Sequence, residues 1–305
     1  SVLAFRRLCG ILLRLVPVRK NLLSAGHSPC VPHLMCDRTL YPYPIDTPIT
    51  IWDARHPAPD AMPAHRLIQE GCSTQAHTAF AIQGFQKVTL LDYPGKVASI
   101  VFAPGCNYRC PFCHNAGLVL QPDAEPQTSE AFFTYLEKRK GVLDGVCITG
   151  GEPTLQSALP DFVRSLRAMG LAIKLDTNGS RPEMLSALLA ENLLDYVAMD
   201  IKNAREGYAR TTGVAADVRA VERSAALLMA GTVPFEFRTT LVSPLHTAAD
   251  MEHIGQWLAG PEAYFLQTFV DSGHLIGTGM RALSQTETQA CLAVLQPYIP
   301  RATVR

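Results

Sequence analysis

Three cysteines, Cys106, Cys110 and Cys113, stand within eight residues in the run Ala-Pro-Gly-Cys-Asn-Tyr-Arg-Cys-Pro-Phe-Cys-His-Asn, with no fourth nearby. Thiolates at this density bind metal. A four-iron, four-sulfur cube has four corners, so three cysteines leave one iron without a thiolate and open to a small molecule, which separates a catalyst from an electron carrier. A zinc site built from the same cysteines and His114 is the alternative. Tetrahedral closure, however, normally draws on two ligand pairs from separate segments, and adjacent Cys113 and His114 cannot easily chelate one ion.

Further residues have the chemistry of binders. In Gly150-Gly151-Glu152-Pro153 the glycines permit close backbone approach and Glu152 can face a cation, although such a turn is by itself a common loop. Asp176 and Asn178, with Thr177 between them, and Asp200 with Lys202 are spaced by two, which sets each pair on one face of a strand. Charged residues are costly against a helix layer, so these pairs are expected to point into the interior, either as ligand contacts or as an ion pair. Arg238, inside an apolar run, reads as a carboxylate binder or a structural partner. Cys147 and Cys291 sit in apolar surroundings and read as buried structural thiols.

Something must bring these segments to one place. Short apolar runs at residues 98–103, 145–149, 172–176, 196–201, 235–241 and 264–269 read as strands. Amphipathic segments at 129–138, 159–169, 182–191, 217–230, 248–258 and 285–295 read as helices. Six strand-then-helix units in succession predict a parallel sheet with right-handed crossovers, open or curled into a barrel, and its ligand chemistry belongs at the carboxyl ends of the strands. The cysteine run follows the first strand directly, at such an end.

The whole chain narrows the function further. Its 305 residues carry 27 Lys and Arg against 27 Asp and Glu, without the basic excess that binding a nucleic-acid backbone would require. Nine cysteines at these spacings are not a disulfide scaffold, and a reducing cytoplasm is expected. No run of 18 apolar residues predicts a membrane span. Residues 1–80 hold 9 of the 22 prolines and no sustained periodicity. They are expected to form a flexible extension, or upstream sequence outside the natural enzyme, with a targeting segment around Arg6, Arg7, Arg14, Arg19 and Lys20 as the lesser reading. Cys9, Cys30, Cys36 and Cys72 read as unpaired thiols. The core domain is expected over 81–305.

The spacing Cys-x3-Cys-x2-Cys with an aromatic before the last cysteine, followed after the second strand by Thr149-Gly150-Gly151-Glu152-Pro153, resembles the radical S-adenosylmethionine enzymes. Asp92-Tyr93-Pro94-Gly95, Cys113-His114-Asn115 and Met199-Asp200-Ile201-Lys202 make it similar to their glycyl-radical-activating members, above all those serving anaerobic ribonucleoside-triphosphate reductase. The resemblance begins near Gln83. It implies an α/β fold, a partial (β/α)6 TIM-type barrel of parallel strands, beside the poorly structured N-terminal extension. It also implies one [4Fe-4S] cluster on Cys106, Cys110 and Cys113, with the amino and carboxylate groups of S-adenosylmethionine on the fourth iron. Reductive cleavage of the sulfonium would then yield a radical that abstracts hydrogen from a glycine of the partner.

By the same resemblance, Glu152 within Gly150–Pro153 meets the methionine amino group. Asp200 and Lys202 reach the carboxylate or ribose, and Asp176, Thr177 and Asn178 border the same ligand. Phe112 lies near the adenine or packs over the cluster, and His274 closes over the adenosyl group or stays solvated. A flavodoxin or ferredoxin would donate the electron, with neither nucleic acid nor membrane as partner. Activation of pyruvate formate-lyase or another glycyl radical enzyme, radical chemistry on a small molecule, and a non-catalytic iron-sulfur protein are the remaining readings.

Overall fold

The computed structural model describes residues 79–121, 128–231, 233–261 and 263–305. The expectations for the N-terminal extension, its targeting segment and Cys9, Cys30, Cys36 and Cys72 lie outside the described residues.

The strands are β1 (Gly84–Thr89), β2 (Ala98–Ala103), β3 (Gly145–Gly150), β4 (Ala172–Thr177), β5 (Tyr196–Asp200), β6 (Phe235–Ser243), β7 (Tyr264–Thr268), β8 (Arg281–Ala282) and β9 (Thr303–Val304). The helices are α1 (Ala116–Leu120), α2 (Ser129–Glu137), α3 (Leu159–Ala168), α4 (Pro182–Ala190), α5 (Tyr208–Thr212), α6 (Val218–Ala230), α7 (Ala248–Trp257) and α8 (Gln285–Leu295). Strands β2 to β7 pair in sequence order, all parallel, so the predicted six units form one sheet. The sheet is a partial barrel: β1 and β9 end it at opposite sides without pairing to each other.

The pleat sorts side chains by chemistry. Val146, Ile148, Ile173, Leu175, Val197, Met199 and Phe237 are buried, and Leu159, Phe162, Val163, Leu166, Leu185, Leu188, Val221 and Leu228 of the helices belong to the same apolar cluster. Residues on the other face line up across the strands by register, with Cys147 beside Lys174, Lys174 beside Tyr196, Ala198 beside Glu236 and Asp200 beside Arg238. The barrel interior is therefore polar and charged, which a purely structural core would avoid. Helix ends are fixed locally. Asp217 accepts from the backbone of Arg219 and Ala220, and Thr247/Asp250 and Ser284/Glu287 form capping boxes on α7 and α8.

Two edge elements had no counterpart in the sequence reading. Strand β1 runs antiparallel to β2, and only its last residue, Thr89, is buried, so it carries little periodicity. Strand β9 adds only two residues beside β7. The core reaches back to Phe80, whose ring stacks on Phe162 at 4.4 Å, a contact worth about 0.5–1.5 kcal/mol beyond area burial. Cys147 and Cys291 are buried, as expected, but Cys147 lies on the charged face and not in apolar surroundings, its sulfur 3.8 Å from Lys174 Nζ. No helix among the described residues is long and apolar enough to cross a membrane.

Candidate active site

The loop after β2 carries the three cysteines, and its shape is enforced by backbone contacts from three other segments. Gly151 N donates to Ala103 O and Glu152 N to Gly105 O, both at 2.8 Å, which lays residues 150–152 against the entrance of the cysteine loop. A Cβ on Gly151 would stand 1.8 Å from Gly105 O, and Gly150, at φ 119°, would bring one to 2.4 Å from Ala103 N. The two glycines thus serve a tighter purpose than ligand approach: they let two loops of the site touch backbone to backbone. On the far side Arg109 N donates to Thr212 O at 2.8 Å, and Gly213, at φ 70°, lies where a Cβ would meet Arg109 O at 2.4 Å. Gly277 N donates to Pro111 O at 2.8 Å. Gly151→Ala is accordingly expected to lower stability in denaturant melts of the protein by about 1–3 kcal/mol. It should also impair iron uptake by shifting the loop, a pairing that a surface glycine substitution would not produce.

Within the loop the sulfur of Cys106 accepts from Tyr108 N at 3.3 Å, and Cys113 N donates to Cys110 O at 3.0 Å. Burial pushes the thiol of Cys106 up and that of Cys110 up to about 11, so both hold their protons until a metal's charge draws them off. Among the described residues no three His, Cys, Asp or Glu side chains close on a point as one ion would require. The three thiols share the lining of one cavity.

That cavity, about 420 Å³, takes in the ends of β3 to β7. Cys106, Cys110, Cys113, Phe112, Gly150, Gly151, Glu152, Asp176, Thr177, Asn178, Asp200, Lys202 and Arg238 all line it. Pro153 stands behind the wall, buried at the start of a single 3-10 turn, Pro153–Leu155. His274 is exposed and does not line the cavity. Asp92, Tyr108, His114, Asn115, Val119, Thr149, Thr240 and Gln267 line it too, beyond the site residues selected from sequence. Of these, Asn115 has a traceable task, its amide donating to Gly150 O at 2.9 Å.

Charge is divided unevenly around the walls. Glu152 is buried, and among the described residues it pairs with no cation: its oxygens accept from Thr154 N at 3.1 Å, Thr177 Oγ1 at 2.8 Å, Asn178 N at 2.6 Å and the Thr154 hydroxyl. Burial raises its carboxyl above the ordinary range, and the hydrogen bonds of Thr154, Asn178 and Thr177 offset this only in part. The opposite holds along β4 to β6. Lys174 pairs with Asp176, Arg238 reaches Asp176 at 3.3 Å and Asp200 at 2.9 Å, and Lys202 reaches Asp200 at 3.0 Å. This chain holds three cations and two carboxylates. Burial works against the charge of Asp200, yet Arg238 and Lys202 prevail and hold it down at about 2. Burial likewise opposes the charge of Lys202, and Asp200 outweighs it.

Lys174 could have been found from sequence, being spaced by two from Asp176 inside an apolar run. His246 had no such signal. It is buried, accepts from Val242 N at 3.1 Å and hydrogen-bonds Lys202 O at 2.8 Å, while its ring meets Phe112 edge-on at 6.1 Å. Burial lowers its pKa, and the neutral ring braces the backbone of Lys202 and the wall behind Phe112. A larger groove of about 1390 Å³ between α4 and α6 is lined by none of the sequence-selected site residues.

Residues 100–258 match the family model of the Radical SAM superfamily. A protein of Methanocaldococcus jannaschii named putative glycyl-radical enzyme activating enzyme MJ1227 is 31% identical over 193 residues, 62% of this chain and 79% of that protein. The pyruvate formate-lyase-activating enzyme of Clostridium pasteurianum is 30% identical over 138 residues, 43% of this chain and 57% of its own length. Among solved structures, Streptococcus suis SuiB bound to precursor peptide SuiA superposes with a TM-score of 0.52 at 14% identity, over 68% of this chain and 48% of that one, a likeness of fold.

Proposed function

Because the chain belongs to the radical SAM superfamily and is a radical SAM enzyme, with a [4Fe-4S] cluster and S-adenosylmethionine as cofactors, we propose that it activates a glycyl radical enzyme by taking a hydrogen atom from a backbone glycine. Its partner in this reading is anaerobic ribonucleoside-triphosphate reductase, with a flavodoxin or ferredoxin as electron donor and the cytoplasm as the place of action. The observation that carries the reading is the division of charge around one cavity. Among the described residues the buried acid Glu152 pairs with no cation, an ion-pair chain with a surplus cation runs through Asp200, Arg238 and Lys202, and three thiols share the lining. That is the complement of an amino-acid zwitterion held beside a cluster.

Cys106, Cys110 and Cys113 would hold three irons. Glu152 would receive the amino group of the methionine moiety, and Lys202 with Arg238 its carboxylate. Asp176, Thr177 and Asn178 would border the ligand, with Phe112 as an apolar wall for its aromatic end. The bound cofactors supply the electron and the hydrogen-abstracting fragment, and the chain supplies orientation and exclusion of water. Glycine suits the role of target because loss of its Cα hydrogen leaves a radical shared by the flanking amides, with no side chain in the way. Likeness to MJ1227 over most of that protein's length, and to the pyruvate formate-lyase-activating enzyme, supports a glycyl radical enzyme as partner.

The test is anaerobic reconstitution with iron and sulfide, reduction by dithionite and addition of S-adenosylmethionine, expected to give 5′-deoxyadenosine. With the reductase added, a glycyl-radical doublet should appear in its EPR spectrum. If 5′-deoxyadenosine forms but the doublet appears only on pyruvate formate-lyase, the partner is corrected and the class retained. Absence of 5′-deoxyadenosine would sink the reading.

A further inference from the structure

Five charged side chains form one network along β4, β5 and β6, and the most buried of them, Lys174, lies outside the cavity. It precedes Asp176 by two residues on β4, about 6.6 Å farther from the carboxyl ends of the strands. Its side chain is 3% exposed, against 14% to 28% for Asp176, Asp200, Lys202 and Arg238. Taking an ammonium this far out of water is unfavourable unless its charge is answered. Structural balance does not call for it, because Arg238 and Lys202 already match Asp176 and Asp200 one for one. Glu236 on the same face pairs with Arg305 at 3.3 Å, and among the described residues neither Glu152 nor Asp92 of the cavity bonds to a cation of this network. Burial pushes up the thiol of Cys147, 3.8 Å from Lys174 Nζ, so that sulfur adds no negative charge. The network holds one cation more than its own acids answer.

The bonds of Asp176 give that cation a task. Lys174 Nζ donates to Oδ1, which leaves Oδ2 for Arg238 Nη1 at 3.3 Å, longer than the roughly 2.7–2.9 Å usual for such a charged pair. Arg238 Nε donates to Asp200 Oδ1 at 2.9 Å, and Nη2 bonds to neither carboxylate. Asp176 therefore draws only lightly on a guanidinium that lines the cavity. We propose that Lys174 is a positioning residue: by holding one oxygen of Asp176 it keeps the charge of Arg238 available to the carboxylate of a ligand in the cavity. The inference rests on the reading of S-adenosylmethionine as that ligand. Without Lys174, Asp176 has only Arg238 as a cation among the described residues, and it competes with the ligand for it.

Lys174→Met keeps most of the side chain's length and removes its charge. Calorimetric titration of the full-length, reconstituted and oxidised protein reads binding without cleavage, with S-adenosylmethionine and with its decarboxylated analogue, which keeps the amine and the sulfonium. The variant should bind S-adenosylmethionine about tenfold more weakly than wild type and the analogue equally well. The double variant Lys174→Met/Asp176→Asn removes one charge of each sign, leaves two cations against one carboxylate, and should recover most of the lost affinity. It keeps the test open if the single variant does not fold, because no carboxylate in it is short of a cation. Equal losses for both ligands would overturn the inference, since a distorted wall does not single out a carboxylate. So would undiminished binding of S-adenosylmethionine by the single variant, a double variant as weak as the single, or a double variant that binds weakly where the single does not fold. A wild type that binds both ligands alike would overturn it too, by showing that no carboxylate is recognised. Any of these with a wild type that still yields 5′-deoxyadenosine leaves the proposed function standing, whereas a wild type that binds neither ligand sinks both.

Discussion

Cys110→Ala is expected to leave the protein without a cluster and to abolish formation of 5′-deoxyadenosine. A cube held by three thiolates has one open corner by design, and a second uncovered iron would be exposed to exchange and loss. Cys110 is the central cysteine of the three, 7% exposed, and its carbonyl anchors the turn that presents Cys113. Burial that pushes its thiol up to about 11 shows how little solvent would stabilise the charge without a metal.

The fold should survive the change. The loop is clamped through the backbones of Ala103, Gly105, Arg109 and Pro111, none of which depends on the sulfur, and the substitution removes one small buried atom. Melting of the apoprotein should therefore move by no more than about 1 kcal/mol. Iron and sulfide analysis after anaerobic reconstitution reads the main effect. Four irons per chain with cleavage intact would show that Cys110 is not a ligand.

The contrast between that loop and its clamps explains what could be read from sequence. Strands β2 to β7 announced themselves because each has an apolar run against the helix layer, and the cysteine spacing is local, so both lie within a short window. The glycines at 213 and 277 do their work on Arg109 and Pro111, residues more than a hundred positions away, and nothing in their own neighbourhood signals it. The same holds for His246, which reaches Lys202 from 44 positions away. Gly150 and Gly151 were legible as a motif, but their reason was not: the close approach is to the cysteine loop itself. Asp200 and Lys202 were expected either to pair or to face a ligand; they pair, and both also line the cavity. That outcome follows from alternation along a curved sheet, where one face is the cavity and must balance its own charges.

Arg238 is where that balance is most exposed to change, and Arg238→Met is expected to lower both stability and affinity for S-adenosylmethionine. Its guanidinium bridges Asp176 and Asp200, and its side chain is 14% exposed. Removing a buried partner leaves carboxylates short of charge, which typically costs about 3–5 kcal/mol. Here Asp176 keeps Lys174 and Asp200 keeps Lys202, so about 3 kcal/mol is expected in denaturant titrations of the apoprotein. The pH profile gives the sign. Asp200 is held at about 2 in the folded protein against about 3.9 when unfolded. Its stabilising share is therefore complete above about pH 4 and is lost as pH falls toward 2. Without Arg238 the carboxyl rises, and acid unfolding should begin at higher pH.

Binding is separable from this loss. The chain from Lys174 to Lys202 drops from three cations against two carboxylates to two against two, and the surplus charge that suits a carboxylate ligand disappears. Affinity for S-adenosylmethionine, followed by its perturbation of the reduced cluster's EPR signal at a temperature where the variant is folded, should fall about 100-fold, or about 2.8 kcal/mol. Arg238→Lys restores the charge without the fork that spans both carboxylates, so it should recover part of the affinity and less of the acid stability. If the methionine variant bound the ligand as tightly as wild type, Arg238 would be a structural bridge alone, and carboxylate recognition would fall to Lys202.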